Sequence, residues 1–116
     1  MRAGGPLPSS GRSRCDLTVF LGDFNSTNLG DRHRLQALAA DTDLQWASES
    51  LPCTNYWARR DGCLGHALDH VMTWQEPRSV AVGGACATEG CEPGETCPIY
   101  HSLISDHCPV VVEMAH

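Results

Sequence analysis

Three short clusters hold the residues best suited to chemistry: Gly22-Asp23-Phe24-Asn25, Leu68-Asp69-His70-Val71 and Ser105-Asp106-His107-Cys108-Pro109. The first follows an apolar run at residues 17–21, the second opens a later run, and the third leads into a final one at 109–114. Carboxylates in such places can hold a hard cation through oxygen, while an Asn and a His can donate hydrogen bonds to an anionic oxygen. Hydrolysis of a phosphate ester calls for those groups. It needs an activated water, neutralised phosphoryl charge and help for the leaving oxygen. Each cluster alone has a plainer explanation. Gly22-Asp23 fits a turn with Asn25 at a bend, and Asp69-His70 fits an exposed pair on a strand. Ser105-Asp106-His107 lacks the G-x-S-x-G elbow of a serine hydrolase, which sets a nucleophilic triad aside. Asn25-Ser26-Thr27 matches a glycosylation sequon, but a strand-end asparagine beside Asp23 is read as a site residue instead.

The elements that must position these groups are legible in outline. Residues 17–21 read as a buried strand ending at Gly22. Asp31 is the expected cap of a helix whose Leu35, Leu38 and Ala39 share one face. Residues 44–47 suggest a short strand, 67–74 a longer one, and 79–82 and 109–114 two more. Residues 53–65 read as a loop with Arg59, Arg60 and Asp61 at its tip, and 83–98 as a long Gly/Glu/Cys loop that needs a staple or a function. The expected fold class is α+β. Residues 1–15, rich in Gly, Pro and Ser, are expected to be a disordered linker, with the domain occupying 16–116.

Taken in order, the three clusters resemble the endonuclease/exonuclease/phosphatase superfamily of DNase I-like nucleases, abasic-site endonucleases, inositol-phosphate phosphatases and neutral sphingomyelinases. The resemblance spans residues 16–112, with its specific content in the clusters. It implies that Asp23 orients or deprotonates the attacking water and helps bind the metal. It implies further that Asn25 contacts the scissile phosphate, that Asp106 binds the metal, and that His107 faces the phosphate. Asp69 would accept a hydrogen bond from His107 and fix its orientation, which is sensible because a carboxylate favours the charged imidazole. His70 falls at a structural position, and His33, His66 and His101 receive no role. Hard oxygen ligands point to Mg2+ or Mn2+, with Ca2+ as a structural ion.

The family's fold is a four-layer α/β sandwich, and its N-terminal half supplies a further asparagine and a metal-binding glutamate. Residues before Asp16 contain no acidic side chain. The resemblance therefore implies the C-terminal half of such a sandwich, incomplete without its other half, which becomes an expected partner. Such a chain is expected to be weakly stable and of little activity alone. The alternatives outside enzymology are an inactive fragment or interaction domain, and a small disulfide-rich or zinc-binding module defined by Cys53 to Cys97.

Composition bounds the substrate. The 116 residues carry a net charge of -6 with only 8 basic residues, so the surface as a whole repels polyanions and a non-enzymatic DNA-binding module is disfavoured. Arg59 and Arg60 are candidates for phosphate contact. The stretch 100–112 loosely resembles secreted sphingomyelinase-like members, for which Trp57 and Trp74 are candidate lipid contacts. A nucleic-acid or generic phosphodiester ranks first, and a phospholipid headgroup or inositol phosphate second. No apolar run is long enough to span a bilayer. Seven cysteines are many for a cytosolic protein. Their spacing is too wide for a zinc knuckle, so disulfides among Cys53, Cys63, Cys86, Cys91 and Cys97 are expected, with Cys53–Cys63 as one bridge. Cys108 or Cys15 is the expected free thiol. This favours a secreted or periplasmic protein, although residues 1–14 lack a signal-peptide core.

Overall fold

A computed structural model describes residues 18–115. Among the described residues the strands are β1 (Val19–Asp23), β2 (Gln45–Trp46), β3 (Asn55–Arg59), β4 (Gly62–His66), β5 (Asp69–Thr73), β6 (Ser79–Val82) and β7 (Val110–Glu113). Three helices join them: α1 (Leu29–Thr42), α2 (Gly84–Thr88) and α3 (Ile99–Leu103). The fold is α+β, and its sheets are small and antiparallel. Residues 1–15, expected as a linker, lie outside the described residues, as do Cys15 and Leu17.

Strand β5 lies at the centre of one sheet, between β1 and β2. Its register with β1 sets Leu21 opposite Val71 and Asp23 opposite Asp69. That pairing puts the two carboxylates side by side on one face. The other face of β5 carries His70 and Met72, both buried. Met72 packs with Leu35 and Trp46, supported by Phe24, Leu38, Ala39 and Leu44. The α1 stripe expected from sequence is therefore the one that covers the sheet. Its cap differs from the expectation. Asn28 is the N-cap, accepting the Asp31 N–H at 2.9 Å, while Asp31 in turn accepts the Thr27 N–H. Two side chains share the capping because Asn28 stands one turn earlier and has the extended backbone a cap requires.

Residues 53–65, expected as a loop, form the β3–β4 hairpin instead, with Arg60-Asp61 as a two-residue turn. The Gly and Cys content obscured a stretch whose Thr-Asn-Tyr-Trp run has ordinary strand propensity. Gly62 is required there: φ is +154°, and a Cβ would meet the Gly94 carbonyl oxygen at 2.8 Å. Cys63 and Gly94 exchange backbone hydrogen bonds at that point.

The segment 83–98 is not wholly a loop either, since it opens with α2. It is stapled as expected, but by different pairs. The bridges are Cys53–Cys91, Cys63–Cys97 and Cys86–Cys108. The expected Cys53–Cys63 bridge is thus incorrect, because both residues lie in the hairpin region and each reaches across to the following segment. Cys108 is not free, which leaves Cys15 as the seventh cysteine. These six cysteines, with Tyr56, Ala85, Val82 and Tyr100, make up the second core cluster. Three disulfides place the folding of the chain in an oxidising environment. No described helix is long and apolar enough to cross a membrane.

The two clusters leave much apolar surface uncovered. Phe20 is 56% and Leu21 70% exposed on β1, a strand whose outer edge has no partner among the described residues. The radius of gyration is 16.5 Å, against about 13 Å for a compact domain of ~100 residues.

Candidate active site

The three clusters meet at the end of the β1–β5 pair. Asp23 closes β1 and Asp69 opens β5, directly across from each other. His107 arrives from the segment before β7, which pairs with the start of β3. The Tyr56 N–H donates to the Asp106 carbonyl at 2.8 Å, the Cys108 N–H donates to the Thr54 carbonyl at 2.7 Å, and Asn55 bridges to His107. The Cys86–Cys108 disulfide anchors the residue next to His107 to α2.

His107 Nδ1 lies 2.7 Å from Asp69 Oδ2, and its Nε2 lies 3.9 Å from Asp23 Oδ2. The imidazole is held above its ordinary pKa, first by the hydrogen bond to Asp69 and then by the charges of Asp69, Asp106 and Asp23, with desolvation opposing. A raised pKa favours the imidazolium, in which Nδ1–H donates to Asp69 while Nε2 lies within ion-pair distance of Asp23. The ligand atoms of Asp23, Asp69 and His107 lie within 4.8 Å of one another.

Asn25 follows in a left-handed conformation, φ 54°, with its N–H donating to Asp23 Oδ1 at 2.7 Å. That turn fixes the Asp23 carboxylate and leaves the Asn25 side chain exposed. Asp106 stands apart from the Asp23–Asp69–His107 trio. Its backbone carbonyl is held by Tyr56 and Asn55, and its exposed side chain faces the same cavity. That cavity, of about 570 Å³, is lined by Asp23, Asn25, Asp106 and His107 together with Trp57, His66 and His101. His66 and His101, given no role from sequence, thus stand on its wall. Their signal was absent because each lies in a segment with no motif of its own.

Two further residues support the site. Thr54 is fully buried, and its Oγ1–H donates to Asp69 Oδ2 at 2.8 Å. The same oxygen accepts the N–H groups of Leu68 and Asp69, both at 3.0 Å. Sequence reasoning missed it because a threonine next to a cysteine in an assumed loop carries no signal. His70 is structural, as its position implied. Trp46 Nε1–H donates to its Nδ1 at 2.9 Å, so Nε2 carries the proton and donates to the Ala67 carbonyl at 2.9 Å. Ser26, beside Asn25, is tied to the same point through Ala67 and His70. Burial pushes the His70 pKa down.

This geometry can hold a cation through carboxylate oxygens, orient a water at Asp23 and present an oriented imidazole to an anion. No protein-family model, no curated protein and no solved structure matches the chain.

Proposed function

We propose that this chain is the C-terminal half of a divalent-metal-dependent phosphodiesterase of the endonuclease/exonuclease/phosphatase type. The observation that carries the reading is the Asp69–His107–Asp23 array: one imidazole is held at 2.7 Å by one carboxylate, and its other nitrogen lies 3.9 Å from a second. Three sequence-distant clusters supply it, and a purely structural pairing would not need the exposed Asp23.

Asp23 orients the attacking water and takes its proton. The Asn25 amide donates to a non-bridging phosphoryl oxygen, and imidazolium His107 donates to the same phosphoryl group as negative charge accumulates there. Asp69 and Thr54 position His107 and do not touch substrate. Asp23 and Asp106 face one cavity and offer hard oxygen donors, which fits Mg2+ or Mn2+ that retains several waters, with Ca2+ in a structural place. Such a cation, when bound, would supply Lewis-acid neutralisation of the phosphoryl charge.

Two carboxylates are few for a complete site, and the exposed Phe20 and Leu21 are unusual on a strand that flanks the site. Both fit a four-layer sandwich whose other half packs on β1 and adds ligands. A secreted or periplasmic location agrees with the three disulfides.

The test is hydrolysis of bis-p-nitrophenyl phosphate in Mg2+ or Mn2+ by the site completed with its other half. Asp23→Ala and His107→Ala should each lower the rate by about 100-fold or more. Undiminished turnover in either variant would contradict the assignment.

A further inference from the structure

The outer face of the β3–β4 hairpin carries a row of side chains leading away from His107. Strand alternation places Asn55, Trp57 and Arg59 on that face, while Tyr56 is turned into the core. The row begins beside the site, where the buried Asn55 forms a backbone bridge to His107, and its exposed members are Trp57 and Arg59. Trp57 is 54% exposed and lines the same cavity as Asp23, Asn25 and His107. The His66 ring lies 5.7 Å from it, tilted by 46°. The Arg59 guanidinium lies over one face of the Trp57 ring, 5.7 Å from its centroid, and 3.8 Å from the exposed Asp61 carboxylate at the turn. At about 3.4 Å of rise per residue, Trp57 stands ~7 Å and Arg59 ~14 Å beyond Asn55.

We propose that this row is a binding track for single-stranded nucleic acid, with a nucleobase stacked on Trp57 and a flanking phosphate at Arg59. An exposed tryptophan facing a cavity offers a flat surface that any base can cover, and a guanidinium beyond it supplies the counter-charge for the next anionic group. Arg60 follows at the turn, so two adjacent cations, with the Asp61 carboxylate that an incoming phosphate must displace from Arg59, mark the far end of the track. The arrangement discriminates among phosphodiesters. A quaternary-ammonium headgroup would be repelled by the guanidinium beside the ring, and an inositol has no π-face to stack. Only an unpaired base can lie flat on Trp57, which selects a single strand over a duplex. The net charge of -6 leaves these few arginines as the local attraction, so binding is modest and salt-sensitive.

The proposal rests on the phosphodiesterase reading, so its test is made with the full chain in EDTA, where no hydrolysis is needed. The readout is fluorescence anisotropy of a labelled thymidine oligonucleotide of roughly 8 nucleotides at low salt. Trp57→Ala should weaken binding by at least about 5-fold, as expected for one lost stacking contact, and Trp57→Phe should restore most of it. Arg59→Ala should weaken binding and reduce the salt slope by about 0.7, one phosphate contact. Binding that Trp57→Ala leaves unchanged, or no binding at all, would overturn the track. So would Trp57-dependent binding to sphingomyelin vesicles in place of the oligonucleotide. Oligonucleotide binding of the expected pattern, with no metal-dependent hydrolysis by the site completed with its other half, would support the track and count against the phosphodiesterase reading alone.

Discussion

His107 and His70 occupy opposite electrostatic environments, and each imposes its own pH dependence on stability. His107 is stabilised in its charged form by Asp69, so its folded pKa lies above the unfolded value. Its contribution is fully present below about 6.5 and is lost as pH rises through the raised value. His70 is buried neutral, with Trp46 donating to Nδ1, so its folded pKa lies below the unfolded value. Its contribution is present above about 6.5 and is lost as pH falls through the lowered value. Denaturant unfolding of the metal-free chain across pH separates the two. In His107→Gln the loss of stability on the alkaline side should flatten. An unchanged alkaline slope would mean that the Asp69 hydrogen bond does not raise the His107 pKa. The site residues were legible at this scale because their chemistry is carried by side-chain type and by position at strand ends. The supporting residues were not. Thr54 acts through three hydrogen bonds to groups more than a dozen residues away, and nothing local to it signals that role.

Among the elements, the join between β3 and β5 decides whether Asp69 and His107 meet. Thr54 makes that join. It accepts two N–H groups at the entry to β5, binds the Asp69 carboxylate, and its backbone carbonyl holds Cys108. Thr54→Val keeps the shape but leaves two buried N–H groups without an acceptor, at a cost of about 1–3 kcal/mol. Chemical denaturation should record that loss, and an unchanged midpoint would show that the β3–β5 join is held elsewhere. The sequence pattern located β1, α1, β5, β6 and β7, since each has a clear apolar period and a polar boundary. It misread the β3–β4 hairpin and α2, where Gly and Cys dominate. There the structure is set by disulfides and by the close Gly62–Gly94 approach rather than by propensity. Pairing failed for the same reason. Cys53 and Cys63 are near in sequence, yet each bonds a cysteine more than thirty residues on.

For the whole molecule, two small cores hold an extended slab of 54 × 29 × 17 Å with an uncovered apolar strand beside the site. One core is built largely of disulfides, which explains how so little buried apolar volume can hold the chain together. The other packs α1 on the sheet and leaves β1 open at its edge. A second layer on the Asp23 face of β1 would cover Leu21 and bring further ligands to Asp23 and Asp106. The central claim is that this chain holds half of a metal-dependent phosphodiesterase site. The direct measurement is hydrolysis of bis-p-nitrophenyl phosphate in Mg2+ or Mn2+ by this chain, by a longer chain extended upstream, and by Asp106→Ala in each. The account predicts little turnover by the 116-residue chain, strong metal-dependent turnover by the longer one, and its loss in Asp106→Ala. Full turnover by the short chain, or turnover in the longer chain that survives Asp106→Ala, would contradict it.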